Sequence, residues 1–402
     1  MALACAVSAM LALGPATAAA AGEPKGPVEV GDGVFLTSAA GLDRNAAARS
    51  SRSHRASPRI IGGSKATVAQ YPWQASLTYN LENDASSGYG RHLCGASLVT
   101  PTLAVTAAHC LYDEGFPPAG NFSMITGRTR LSTSEGQESA VADYYVFTDA
   151  SNNALYNPAT QRWDVAIVKL AAPSPGTPIQ VAGADERALW TTGREVVVSG
   201  WGRTSEDGGE SDTLRAVTVS IVDDGSCAGS YGGAAQVDVM VCAGAAEAGR
   251  DSCEGDSGGP LVAPTADGWF RLVGVVSFGR GCAHPEFPGV YARVADDPIR
   301  SALRNAVLGL EGVDVVGSGA TPGAVPPMGP PVPSCLSLGV AVNDAEKSLH
   351  KAKRKLKKVE AKKKAGKQAK RKAKKRVKRS KRSVKKAKAA LADSGCRPGR
   401  RA

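Results

Sequence analysis

Between Ile60 and Leu308 the chain carries short apolar runs separated by clusters of Gly, Asn, Asp and Ser. Leu98-Val99, Val165-Ala166-Ile167-Val168, Val196-Val197-Val198 and Leu272-Val273-Gly274-Val275-Val276 are examples. Runs this short, bounded by turn residues, predict many short strands and an all-β body. One helix interrupts the pattern: Pro298 follows Asp296-Asp297 at a first-turn position, and Ile299, Leu303 and Val307 then recur at helical spacing. Repeated Gly and Pro between about 312 and 334 exclude a regular helix or central strand and predict an extended spacer. Beyond it, Val342, Ala345, Leu349, Ala352, Leu356 and Val359 recur at steps of three and four, as do Ala373, Val377, Ser380, Val384, Ala387 and Leu391. Two helices with one apolar seam each are implied. Gly366 lies between the seams, about midway between Cys335 and Cys396, which suggests an antiparallel helical hairpin clasped by a disulfide. The alternative is a solvated, partly helical basic tail, because dense Lys and Arg repel one another and the alanine-rich seam buries little area.

Charge sharpens that division. The 402 residues carry a net +12, but from Asp344 onward 27 Lys and Arg face only 4 Asp and Glu, so the remainder is acidic at −11. The first 20 residues are apolar and alanine-rich, ending with the small-x-small pattern Ala16-Thr17-Ala18. They read as a signal peptide, although a positive charge near the start is missing. Cys5 falls inside that stretch and reads as incidental; the other eight cysteines form an even set that suits an oxidising compartment. Their spacing does not fix the pairing, and no two lie close enough for an ordinary zinc motif. Residues from about 22 to 59 show little periodicity and are expected to be a flexible segment that builds little core.

The chemistry concentrates in four segments. They are Ile60-Ile61-Gly62-Gly63 directly after Arg59, Thr106-Ala107-Ala108-His109-Cys110, Asp164-Val165-Ala166-Ile167, and Asp251-Ser252-Cys253-Glu254-Gly255-Asp256-Ser257-Gly258-Gly259-Pro260. A serine hydroxyl attacks an amide only with a base in hydrogen-bond reach and a third group orienting that base. The order His109, Asp164, Ser257 supplies all three, and glycines around Ser257 allow a tight turn with exposed amides.

Together these motifs, over about residues 60–308, resemble a trypsin-like serine protease of the chymotrypsin/trypsin family, of a secreted bacterial type with a basic C-terminal extension. The resemblance implies an all-β, double six-stranded antiparallel β-barrel with a C-terminal helix, the protease domain at 60–309. Composition and periodicity place a signal peptide at 1–20, a pro-segment at 21–59, a Pro/Gly-rich linker at 310–334 and, at 335–402, a Lys/Arg-rich tail that is a basic helical or disordered extension. In the implied mechanism Ser257 is the nucleophile, His109 the general base and acid, Asp164 the orienting carboxylate, and the amides of Gly255 and Ser257 the oxyanion hole. Implied disulfides join Cys94 to Cys110, Cys227 to Cys242 and Cys253 to Cys282. Cleavage of Arg59-Ile60 would create an amine that pairs with Asp256; before it, the oxyanion loop and specificity pocket are expected to be incompletely formed.

Asp251, six residues before Ser257, matches the base of a pocket for Arg or Lys. Ser252, Gly279 and Gly289 match other pocket positions, Tyr231 a supporting aromatic, Ser277 a residue supporting the catalytic aspartate, and Ser277-Phe278-Gly279 the strand that pairs with substrate. Phe278 stands where tryptophan is usual, and Arg280 follows at the pocket rim. Residues 127–138 resemble the family's calcium loop, but Arg128 occupies the position of the first acidic ligand, so no metal is expected there despite Glu135 and Glu138. No cofactor is implied. The expected partners are protein or peptide substrates with Arg or Lys at the cleaved bond, outside the cell or at its surface. The tail is expected to bind polyanions or a cell surface by charge; few interleaved aromatics and no groove-reading motif argue against sequence-specific nucleic-acid binding. A catalytically silent, tail-driven binding protein is the rival class. Asp251, Asp256 and the Arg59-Ile60 bond together argue against it, since a pure binding module uses none of them.

Overall fold

The computed structural model describes residues 26–42, 63–80, 87–112, 115–203, 209–244, 250–253, 255–284 and 286–319, with tail stretches 346–347, 349–355, 374–375, 377–385 and 388. The apolar runs form strands that close into two six-stranded antiparallel barrels. The first is built from β4 (Gln74–Tyr79), β5 (His92–Leu98), β6 (Leu103–Thr106), β7 (Phe122–Thr126), β8 (Gln137–Thr148) and β9 (Ala166–Leu170). Its order is β8-β7-β4-β5-β6-β9, and pairing of β8 with β9 closes it. The second contains β11 (Glu195–Gly200), β12 (Arg215–Ile221), β13 (Met240–Gly244), β14 (Pro260–Pro264), β15 (Phe270–Phe278) and β16 (Gly289–Ala292). It runs β15-β14-β11-β12-β13-β16 and closes through β15 and β16. Closure removes the open strand edges that would otherwise invite aggregation. Short β3 (Ser64–Lys65) and β10 (Gln180–Val181) attach to β12 and β15, and a short helix, α1 (Asp224–Ser230), precedes β13.

Two expectations are corrected. The stretch 22–59 was expected to build little core, yet residues 28–38 form a hairpin of β1 (Val28–Gly31) and β2 (Val34–Ser38). Its turn holds Asp32 and Gly33 at φ of 51° and 73°, the left-handed pair of a tight hairpin turn. β2 pairs with the end of β8, placing Leu36 opposite Phe147. This explains a change within β8. From Gln137 to Asp143 buried and exposed positions alternate, but from Tyr144 to Thr148 every residue is buried. The Arg59-Ile60 bond itself lies outside the described residues.

The second correction concerns the spacer. The C-terminal helix, α2 (Ile299–Glu311), runs past the expected boundary at 309 and buries Ile299, Ala302, Leu303, Ala306 and Val307 at the expected spacing. It ends at Gly312, whose φ of 70° suits a residue without a side chain. The chain then docks back instead of leaving: Val315 is buried and Gly317 N–H donates to the Val181 carbonyl at 2.8 Å. In the tail, the described stretches are helical; Ala352 is buried and Leu349, Val377, Ser380 and Val384 are half-buried, while the lysines and arginines are exposed. Glu346 at the start of the first stretch pairs with Lys388 at the end of the second at 2.7 Å, an antiparallel approach. Cys335 and Cys396 lie outside the described residues.

Phe147 joins the hairpin to the site, since its ring lies 5.7 Å from that of Trp163, the neighbour of Asp164. Phe147→Ala is expected to cost about 3–5 kcal/mol in denaturant unfolding, as for other large core truncations. Trp269→Ala, at a side chain 62% exposed, is expected to stay within about 0.5 kcal/mol.

Candidate active site

Strand register brings the first two candidate groups together. β6 pairs with β9 so that Thr106 faces Ala166; the short turn Ala108–Leu111 follows the first strand, and Asp164 lies just before the second. The Cys94–Cys110 disulfide ties this turn to β5. Asp164, 1% exposed, accepts from His109 N–H at 2.9 Å through Oδ1 and from His109 Nδ1 at 2.8 Å through Oδ2. Ser277 Oγ donates to the same Oδ2. The imidazole is thereby fixed with its proton on Nδ1 and Nε2 left as the basic atom. Burial lowers the affinity of His109 for a proton, but the charge and hydrogen bond of Asp164 outweigh it and the pKa is raised.

The Ser257 backbone is placed by close contact between the barrels. Gly95 N–H donates to the Ser257 carbonyl at 2.7 Å. A Cβ at Gly258 would lie 2.3 Å from Thr106 Oγ1, and one at Gly95 would lie 2.7 Å from Gly259 Cα, so the approach requires glycine at both positions. The amides of Asp256, Gly258 and Gly259 donate to the carbonyls of Cys253, Val276 and Asp256. Those of Gly255 and Ser257 donate to no group among the described residues. Two free amides flanking a serine are the donors that a developing oxyanion requires.

The sequence reading missed the residue that holds this loop. His92 is buried between the barrels, its Nδ1 2.7 Å from Ser76 Oγ and its Nε2 2.9 Å from the Gly255 carbonyl. A carbonyl only accepts, so Nε2 carries the proton and Nδ1 accepts from Ser76. Burial pushes the His92 pKa down to about 4, which keeps it neutral. By holding the Gly255 carbonyl it fixes the orientation of the peptide units beside Ser257. Its signal in the sequence was faint: one of five histidines, two residues before Cys94.

Beside Ser257 opens a cavity of about 180 Å³ lined by Asp251, Ser252, Ser277, Phe278, Gly279 and Gly289, among others. All six were selected from the sequence. Asp251 Oδ1 accepts from Ser252 N–H at 2.8 Å, and the Ser252 hydroxyl lies 3.0 Å from the Tyr291 hydroxyl. A Cβ at Gly289 would stand 2.7 Å from Asp251 Oδ1. Burial pushes Asp251 up to about 7, and no cation among the described residues pairs with it. Tyr231 supports the wall by donating to the Pro288 carbonyl at 2.7 Å and packing against Phe278 and Phe287. Arg280 stacks over Phe287 at 4.6 Å.

Asp256 is fully buried. Gly202 N–H donates to its Oδ1 at 2.9 Å and Cys253 N–H to its Oδ2 at 3.1 Å; side chains at Gly200 or Gly202 would collide with the carboxylate. Burial pushes its pKa up to about 8. Asp256 is thus a buried carboxyl group with no cationic partner among the described residues.

Disulfides join Cys94 to Cys110, Cys227 to Cys242 and Cys253 to Cys282, the pairs implied by the resemblance. Cys94, His109 and Cys110 are close enough to hold an ion, but the disulfide leaves no thiolate to bind one. In the loop 127–138, Arg128 Nε donates to the Glu135 carbonyl at 2.6 Å, and Arg91 pairs with Glu138 at 2.7 Å. Arginines therefore neutralise or engage the groups that a calcium ion would use.

Acyl transfer through a serine is the chemistry this cleft supports, and the double-barrel architecture narrows the class to serine endopeptidases. The chain belongs to the trypsin family: the family model described as Trypsin matches residues 60–299. It is 36% identical over 242 residues to Trypsin-1 of Astacus astacus, covering 59% of this chain and 95% of that protein. Trypsin of Saccharopolyspora erythraea is 38% identical over 235 residues, with 58% and 93% covered. A segment of Transmembrane protease serine 9 of Rattus norvegicus is 38% identical over 243 residues, 60% of this chain and 21% of that protein.

His92→Phe is expected to lower kcat about tenfold, the value of one lost orienting hydrogen bond. KM is expected to change little, and steady-state kinetics on one peptide amide reads both.

Proposed function

We propose that this trypsin-family endopeptidase cleaves peptide bonds after Arg or Lys, is exported, and is made as a zymogen activated at Arg59-Ile60. The observation that carries the specificity is Asp251, a buried carboxylate without a cationic partner among the described residues, in the cavity that opens beside Ser257. A long basic side chain fits that charge, and the small Gly279 and Gly289 leave it room. In the proposed reaction Ser257 Oγ attacks the scissile carbonyl while His109 Nε2 takes its proton, and the new oxyanion is held by the amides of Gly255 and Ser257. The C–N bond then breaks as His109 returns the proton to the leaving amine. Water, activated by the same imidazole, releases the acyl group from Ser257. Asp164 holds the imidazole throughout.

The substrate class is tested with Arg-, Lys-, Phe- and Ala-ended peptide amides after controlled cleavage before Ile60, beside a Ser257→Ala control. Cleavage after Arg and Lys, lost in the control, is expected; comparable rates on all four would refute the pocket assignment. A pH dependence follows from Asp251. With a pKa near 7, it is largely protonated below that value and offers no charge to a basic side chain. The ratio of kcat/KM for Arg over Ala substrates is therefore expected to rise as pH increases through about 7, and Asp251→Ser to flatten it. Because both substrates share His109, its titration cancels from the ratio.

Activation is supported by Asp256, which has no cationic partner among the described residues and which a new Ile60 amine would supply with one. A carboxyl raised from 3.8 to about 8 contributes fully below pH 4 and loses stability as pH rises towards 8. Cleavage would reverse that penalty and favour the assembled site. Arg59→Gln is expected to leave full-length protein nearly inactive in a burst assay, with activity restored by a cut engineered before Ile60; full activity in the uncut protein would refute the reading. Export is supported by the N-terminal apolar stretch and by three disulfides, which suit an oxidising compartment. The exposed lysines and arginines of the tail support binding to polyanions at a cell surface.

A further inference from the structure

The hairpin β1–β2 lies before the proposed activation bond, yet it is built into the folded body. We propose that it remains bound after activation, as a small noncovalent light chain, instead of leaving with a discarded pro-segment. The inference rests on the reading of Arg59-Ile60 as the activation bond.

Three sets of contacts hold it. β2 pairs with β8 over four positions, from Phe35 opposite Thr148 to Ser38 opposite Tyr145, and Ala39 N–H continues the ladder to the Tyr144 carbonyl at 2.8 Å. Thr37, fully buried, donates to Asn152 Oδ1 at 2.7 Å, and Asn152 Nδ2 donates to the Gly41 carbonyl at 3.0 Å. From α2, Asn305 Nδ2 donates to the Val30 carbonyl at 2.6 Å. Val30, Val34, Leu36, Ala39 and Leu42 are buried. The hairpin thus bridges the first barrel and the C-terminal helix, and its departure would uncover a strand edge and apolar surface together. No described disulfide involves it, so retention depends on these contacts alone.

The sequence makes the same segment resistant to the proposed activity. Residues 26–42 contain no Lys or Arg, whereas Arg44, Arg49, Arg52, Arg55 and Arg59 follow and Lys25 precedes. An enzyme that cuts after basic residues can trim the linker on either side of the hairpin but finds no site within it. Cutting the linker removes the high local concentration that the covalent connection provides, so retention becomes a matter of intrinsic affinity.

The test uses the full chain with Ser257→Ala, to prevent further trimming, and with residues 56–59 replaced by the site of a specific endoprotease that cuts just before Ile60. After complete cutting, micromolar protein is passed through size exclusion in native buffer, and the fractions are quantified by mass spectrometry. Equimolar co-elution of the hairpin fragment with the body is expected, with separation only in denaturant. A fragment eluting alone in native buffer would overturn the proposal. Hydrogen exchange on the cut protein gives a second reading: amides of residues 35–39 are expected to stay protected, and full exchange within minutes would count against retention. Sequencing the new chain ends of naturally activated enzyme tests the activation bond separately, because the engineered cut reports retention wherever nature cuts.

Discussion

Burying a carboxylate is the constraint around which this molecule is arranged. Among the described residues four acidic residues are buried: Asp164, Glu186, Asp251 and Asp256. Glu186 is held by Arg271 at 3.1 Å, an ordinary structural pair. Asp164 is satisfied by a backbone amide, an imidazole and a hydroxyl, so its charge is spent on fixing His109. Asp251 and Asp256 accept from amides and hydroxyls but face no cation among the described residues, and burial raises both. An uncompensated buried charge is costly to keep unless something else repays it. In the proposed function the substrate side chain repays one and the amine created by cleavage the other. Recognition and activation then rest on the same physics, a buried acid whose ionised form is favoured only once a cation arrives beside it.

Legibility in the sequence followed how local each determinant was. The loop around Ser257 was readable because its chemistry is written in consecutive residues, and the pocket residues stand at fixed distances from it. Barrel strands were readable as apolar runs. The β1–β2 hairpin was missed because the surrounding Gly, Ala, Ser and Arg suggested a flexible linker. Its signal was nevertheless present: Asp32-Gly33 between Val28-Glu29-Val30 and Val34-Phe35-Leu36 is a two-residue hairpin turn flanked by strand formers. His92 was less legible still. Its role depends on Ser76 in β4 and Gly255 in a distant loop, and nothing adjacent in sequence marks that meeting. The docking of residues 312–319 was obscured for a similar reason, since Gly and Pro exclude regular structure without excluding attachment.

The barrels meet through backbone, which explains why so much depends on glycine. Gly95 from the first barrel lies against Gly259 from the second, and Gly258 lies against Thr106 and Ala107. Larger residues at these points would separate the surfaces that carry Ser257 and His109. Polar side-chain contacts reinforce the seam, among them Ser199 Oγ donating to Gln74 Oε1 at 2.6 Å and His92 meeting the Gly255 carbonyl. Each is buried, so each favours one relative placement of the barrels over small slides that would leave a polar group unpaired. The hairpin acts on the same arrangement from the outside. It covers β8 beneath Phe147, and Phe147 packs against Trp163, which is held at a φ of 54° immediately before Asp164. A backbone in that region needs support from its surroundings. The segment before the proposed activation bond therefore contributes packing to the turn that positions the histidine's carboxylate partner, a reason for it to stay with the body once the chain is cut.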